Sequence, residues 1–236
     1  MHYVITLALL GIFFYTGVME SAFHRLDLSA DELGYAMALS ILLSLINIQL
    51  FSLRPGASGP RGAGEIKSPL RVPVGINLGG CVTPLFFCFY LLHRYPFEPL
   101  PLVALVLAVA TIVYPLSRVE KGQGLVVHLA GAILGASLGA SLLEGEGYLV
   151  GAYCAAVLGT LIGGDLAHLA QLRHLRLAAR RGIFIGGAGL MDAIFLSGLF
   201  ALFAAEALHG GVINGGVAGA TEVTALHGFA LGSVTG

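Results

Sequence analysis

The sequence predicts an all-α, polytopic transmembrane bundle of about seven spans. Three observations predict it. Of the 236 residues, 57% are hydrophobic and only 11% are charged, about half the charged share of an ordinary soluble domain. Seven apolar runs are long enough to approach the roughly 20 residues that a helix needs to cross about 30 Å of hydrocarbon. All 12 Lys and Arg residues fall between those runs.

The runs lie near 3–19, 34–53, 75–92, 100–117, 124–143, 148–170 and 183–208. Helix is the expected local structure throughout, because an open sheet edge leaves backbone groups unpaired in lipid. The first run, within MHYVITLALLGIFFYTGVME, lacks the basic start and small-residue cleavage site of a signal peptide and is expected to be retained. Ser29 stands three residues before Glu32, the spacing of a capping box, ahead of the second run. The stretch RPGASGPRGAGEIKSP at 54–69 reads as a Gly- and Pro-rich loop.

The third run, GINLGGCVTPLFFCFYLL, carries Asn77, Gly79, Gly80 and Pro84, a composition suited to a kinked or broken helix. The seventh, with GGAGLMD, suits a break at Gly186–Gly189. In the fifth, Gly131, Gly135 and Gly139 recur every four residues and form a smooth face for helix packing. Residues 1–209 form the predicted membrane domain, and 210–236 a glycine-rich tail.

Basic-rich loops alternate with basic-poor ones. Loops 54–74, 118–123 and 171–182 hold ten of the 12 basic residues. The positive-inside rule then places the N-terminus in the cytoplasm and the protein in a prokaryotic inner membrane. The net charge of −1 excludes an electrostatic nucleic-acid surface. Cys81, Cys88 and Cys154 show no metal or disulfide spacing. The pattern calls for no metal and no cofactor. Its expected partners are the lipid bilayer, a membrane peptide or small solute as substrate, and, compatibly, further copies of the chain.

Two acids interrupt the apolar runs. Asp165 lies in LIGGDLAHL and Asp192 in GGAGLMDAIF. A carboxylate in hydrocarbon is expensive and marks a functional site by default. At 1.5 Å per residue they lie about 8 and 14 Å from the ends of the basic loop 171–182, approaching from one side. Two facing carboxylates share a proton, so one serves as base and the other as acid. Such a pair activates water against a peptide carbonyl. Gly163, Gly164, Gly186, Gly187 and Gly189, with Asn77, Gly79 and Gly80, are the predicted positions for close backbone or substrate approach.

The pair GGD at 163–165 and GLMD at 189–192 resembles the intramembrane aspartyl proteases of the presenilin type, which carry Tyr-Asp in one span and Gly-x-Gly-Asp in the next. Asp165 takes the place of the first acid and Asp192 of the second. Gly164 stands where that family has tyrosine, and Met191 where it has the second glycine. Nearly the whole chain also resembles an uncharacterised prokaryotic polytopic membrane family, the domain-of-unknown-function 1614 type, with NxGG, GGD and GGAGxxD-like strings. That resemblance implies no activity.

A diaspartyl hydrolase is one expectation. A proton- or cation-coupled transporter is a second, with His128 and His168 as relay groups and Asn77 as a further polar lining group. A structural or assembly role, in which the acids bond backbone donors at helix breaks, is a third. Glu206, near the far end of the seventh run, is expected to reach water.

Overall fold

A computed structural model describes residues 8, 11–12, 15–53, 71–120, 124–143, 147–172, 182–187 and 192–209. The predicted tail, most of the first run, the loops 54–70 and 173–181, and Gly189 lie outside the described residues.

Helix α1, Val18–Arg25, starts after Gly17, whose φ of 73° suits a residue without a Cβ. Helix α2, Ala30–Leu43, opens on the predicted capping box. The Ser29 hydroxyl accepts from the Glu32 N–H, and the Glu32 carboxylate accepts from the Ser29 N–H. These bonds satisfy donors that a helix start leaves open.

The second run departs from the prediction here. Helix α2 ends at Leu43, and residues 47–53 form strand β1, Asn47–Leu53. Polar and apolar residues alternate along NIQL, the period of a strand. The alternation changes phase at Leu50 and Phe51, where the pairing with β2, Val72–Asn77, shifts register between Gln49 and Phe51. Strand β2 is central in a three-stranded sheet of order β1-β2-β5. It is antiparallel to β1 and parallel to β5, Ile183–Ile185. Pro73 falls outside the parallel pairing, which covers Val74–Ile76, so its missing N–H breaks no bond of that ladder. Gly75 allows the closest approach in the sheet. A Cβ there would lie 2.2 Å from the Ile48 carbonyl oxygen.

A five-residue π-helical segment, Leu78–Val82, follows β2 and runs into α3, Thr83–Arg94. Pro84 is the second residue of α3, directly after the π-helical segment. Helix α4, Pro99–Leu116, has 18 residues and is about 27 Å long. Strands β3, Arg118–Glu120, and β4, Gly124–Val126, pair as a hairpin. Helix α5, Leu129–Ala140, then returns against α4. Its glycine stripe meets Leu116, Ile112 and Leu105 of α4, the packing face the four-residue spacing predicts.

Helix α6, Gly147–Thr160, continues through a π-helical segment, Leu161–Leu166, into α7, Ala167–Leu172. Helix α6 is the centre of the core, with α4 and α5 packed on it and α3 also in contact. Helix α8, Ala193–His209, closes the described chain.

The seven-span, all-helical bundle is therefore corrected. Helices dominate, but two small sheets join them. Among the described residues only Pro99–Leu116 and Gly147–Leu169 are long and apolar enough to cross a membrane. The apolar helices Leu78–Arg94, Leu129–Ala140 and Ala193–His209 are shorter. In place of broken helices, the third and seventh runs begin as the strands β2 and β5. The loop alternation that oriented the N-terminus presupposed seven crossings, and that orientation falls with them. Membrane association itself is supported by the two long helices. In the span window of α4 28% of residues are buried, against 72% for Gly147–Leu169. The first thus turns an apolar face outward, while the second is wrapped by its neighbours.

Candidate functional site

The two π-helical segments coincide with the NLGG and LIGGD strings. π-Helical turns are rare and concentrate at functional sites. In the first, Asn77 is fully buried and every polar group of its amide is engaged. Its Nδ2 donates to the Ser44 carbonyl at 2.7 Å and to Asn47 Oδ1 at 3.1 Å. Its Oδ1 accepts from the Gly80 N–H at 2.8 Å. Asn77 thus caps the segment and ties it to the α2–β1 turn. The Ser40 hydroxyl donates to the Gly79 carbonyl at 2.9 Å. A Cβ at Gly79 would lie 2.1 Å from the Ser40 carbonyl oxygen. Gly79 and Gly80 are buried against protein, and the space beside Gly79 belongs to α2.

In the second segment, a Cβ at Gly163 would meet the Ala110 carbonyl oxygen at 2.3 Å, and one at Gly164 the Val127 side chain at 3.2 Å. The close approach that these glycines permit is to α4 and to the residues after β4. Asp165 follows them and is half-buried. His168 is 4% exposed. Its Nδ1 lies 2.7 Å from the Gly164 carbonyl. A carbonyl only accepts, so Nδ1 is the donor of that bond. The ring packs at 4.9 Å from that of Tyr114. His128 is exposed, and its Nδ1 lies 2.7 Å from the Leu116 carbonyl. It precedes α5 at a helix start rather than lying deep in a span.

Asp192 caps α8. Its Oδ1 accepts from the Ile194 N–H at 3.0 Å, and its carbonyl accepts from the Leu196 N–H. Strand β5 delivers the chain toward this cap. At Gly186 the φ is 74°, and a Cβ there would sit 2.6 Å from the Cys81 backbone nitrogen. The turn after β5 thus lies on the first π segment. Gly187 is exposed at that turn.

Helices α6 and α8 are pinned together through Thr160 and Ser197. Thr160 Oγ1 donates to Ser197 Oγ at 3.0 Å. A Cβ at Gly198 would meet Val157 at 2.5 Å. Thr160 immediately precedes the segment holding Asp165, and Ser197 lies just over one turn beyond Asp192. Asp165 and Asp192 thus lie on elements that the Thr160–Ser197 bond joins. Among the described residues no group of three His, Cys, Asp or Glu side chains is placed to hold a metal ion.

Sequence reasoning missed the Thr160–Ser197 bond between α6 and α8. Small polar residues in apolar runs were the available signal, but their partners lie 37 residues apart or more. It also misplaced Glu206, which is 3% exposed. Glu206 accepts from the Ser21 hydroxyl, from the Tyr148 hydroxyl and from Arg25 Nε, the last at 3.0 Å. The His209 ring stacks on Tyr148 at 4.1 Å. This cluster joins α1 to α6 and α8, away from the acid pair.

Residues 41–204 match the model of one protein family, described as a protein of unknown function (DUF1614). That match covers more than half of the chain and includes every described residue of the predicted site. No curated protein and no solved structure matches, so no relationship to presenilin-type proteases emerges.

Proposed function

We propose that this chain, a member of the DUF1614 family, is a multi-pass protein of the prokaryotic inner membrane that hydrolyses peptide bonds with Asp165 and Asp192. The observation that supports the reading is the Thr160–Ser197 bond, which ties together the two helices that lead into Asp165 and out of Asp192. Asp165 stands in the π-helical segment that continues α6, and Asp192 caps the start of α8.

In this reading the pair carries one proton. The ionised carboxylate takes a proton from water as the water oxygen attacks the peptide carbonyl carbon. The protonated partner donates to the carbonyl oxygen, which gives a gem-diol. Collapse of the diol breaks the C–N bond as the second carboxylate takes a hydroxyl proton of the diol, and the proton held by the first carboxyl passes to the leaving nitrogen. The products are a carboxylic acid and an amine, and the shared proton is restored.

A proton- or cation-coupled transport reading draws on the same pair but has less support. Asn77, one of its expected lining groups, has its whole amide engaged. His128 is exposed beside a helix start. The structural reading draws on the cap that Asp192 provides for α8.

The test is cleavage of a membrane-spanning peptide by the purified full chain in lipid, comparing wild type with Asp165→Asn and Asp192→Asn. Asparagine caps a helix about as well as aspartate, so the second variant removes charge and keeps α8. Cleavage lost in both variants supports the diaspartyl reading. Cleavage retained in either one removes it. Loss of proton- or cation-driven uptake in sealed vesicles, with no cleavage in wild type, favours transport instead.

A further inference from the structure

A cavity of about 320 Å³ lies apart from the acid pair, enclosed by α1, α2, α3, α6 and α8. Its size is that of a small-ligand site. Phe23, Phe87, Tyr153, Phe195 and Leu202 form much of its wall, from four different helices. Water is poorly held in so apolar a space, because it needs two or more polar partners. Thr83 lines it too, but its hydroxyl already donates to the Leu78 carbonyl at 3.0 Å. A hydrocarbon chain suits this interior. At the rim, Leu39 and Phe86 are 53% and 68% exposed. Apolar side chains so exposed on a membrane-associated protein give an acyl chain a way in from lipid.

One end of the cavity is charged. Tyr90 lines the cavity, and Arg94 follows it one helical turn later on the same face of α3. Leu28 lines it too, and Asp27, the residue before, is ion-paired to Arg94. Glu32 lines that end as well; one oxygen of its carboxylate accepts from the Ser29 N–H and hydroxyl. Among the described residues, Glu32 lines the cavity itself, and the Arg94–Asp27 ion pair lies beside it, one helical turn from the lining residue Tyr90 and next in the chain to Leu28. A purely anionic headgroup would meet net repulsion there. A zwitterion would not, because its ammonium finds Asp27 and Glu32 while its phosphate finds Arg94.

We infer that this cavity is a binding site for one acyl chain of a zwitterionic, ammonium-bearing phospholipid, its headgroup held at Arg94, Asp27 and Glu32. The site shares no residue with the acid pair, so its fate is independent of the hydrolase reading.

The probe is an equimolar mixture of phosphatidylethanolamine and phosphatidylglycerol with identical acyl chains. The full chain is reconstituted in nanodiscs of that mixture, released, and weighed by native mass spectrometry. The expected result is one retained phosphatidylethanolamine. Ala36→Phe places a ring into the cavity from the exposed side of α2, where the fold tolerates it. That variant should keep its circular dichroism spectrum and lose retained lipid severalfold. Glu32→Gln with Asp27→Asn should keep a bound lipid but lose the preference for phosphatidylethanolamine. Retention unchanged by Ala36→Phe, or equal retention of both lipids by the wild type, would overturn the proposal. So would a failure of the wild type to retain any lipid.

Discussion

Replacing Glu206 tests the buried contact between the first and last described helices. Its carboxylate is 3% exposed and accepts three hydrogen bonds, from Ser21, Arg25 and Tyr148. A hydrogen bond to a charged group contributes about 1.5–3 kcal/mol, against about 0.5–1.5 kcal/mol for a neutral one. Glu206→Gln keeps the shape but removes the charge, makes the Ser21 bond a neutral one and sets an N–H donor where Tyr148 had an acceptor, a loss of about 1 kcal/mol at each of these two. The Arg25 share must be discounted, because that side chain is 36% exposed and water screens it. The net expectation is about 2 kcal/mol, or roughly thirtyfold in the folding equilibrium. Glu206→Ala removes the acceptor of all three bonds and should cost about 3–4 kcal/mol. Arg25→Gln should cost less than 1 kcal/mol.

The assay is reversible unfolding in detergent, followed by far-ultraviolet circular dichroism. A double-mutant cycle of Glu206→Gln with Tyr148→Phe should show coupling of about 1 kcal/mol. If Glu206→Gln and Glu206→Ala both unfold within 0.5 kcal/mol of wild type, the cluster does not hold α1 to α8, and the reasoning fails.

Gly163→Ala should destabilise by about 1–3 kcal/mol, since its Cβ would press on the Ala110 backbone. Gly131→Ala should cost less, because the atom it meets is a methyl of Leu116, which can turn aside; unfolding midpoints of the two variants should rank in that order. Ser197→Ala should loosen α8 from α6 by about 1 kcal/mol and, if the hydrolase reading holds, lower cleavage by moving Asp192 without touching either carboxylate. The capping box has a pH signature. The Ser29 backbone and side-chain hydrogen bonds hold the Glu32 carboxyl below its usual value. A depressed folded value means that its support for α2 is complete above the ordinary carboxylate range and is lost as the pH falls through the lowered value. The Ser29 amide chemical shift, read by NMR, should therefore titrate at a more acid midpoint than that of a free glutamate, and should not titrate in Glu32→Gln.

Local features of the chain were legible without coordinates. Ser29 and Glu32 lie three residues apart, and a capping box needs no partner beyond that turn. The four-residue glycine stripe of α5 carries its own face, so its use in helix packing could be read directly. The apolar content showed that the chain suits lipid. Asp165 and Asp192 stood out because a carboxylate in an apolar run calls for an explanation on energetic grounds alone.

Tertiary structure decided the rest. A hydropathy window averages over about 20 residues, so it does not distinguish a crossing helix from a shorter helix followed by a strand. That is why 34–53 read as one span when it holds both α2 and β1. Strand pairing is non-local. β2 recruits β5 from more than 100 residues away, and no local period announces that partner. The same distance hid the burial of Glu206, whose bonds to α1 span 181 and 185 residues. It also hid the use of Asn77, Gly79 and Gly163 as packing points, because the atoms they accommodate belong to other elements. Sequence alone determines which residues are costly to bury; the folded chain decides what each one meets, because the partner that offsets the cost is supplied by a segment far along the chain.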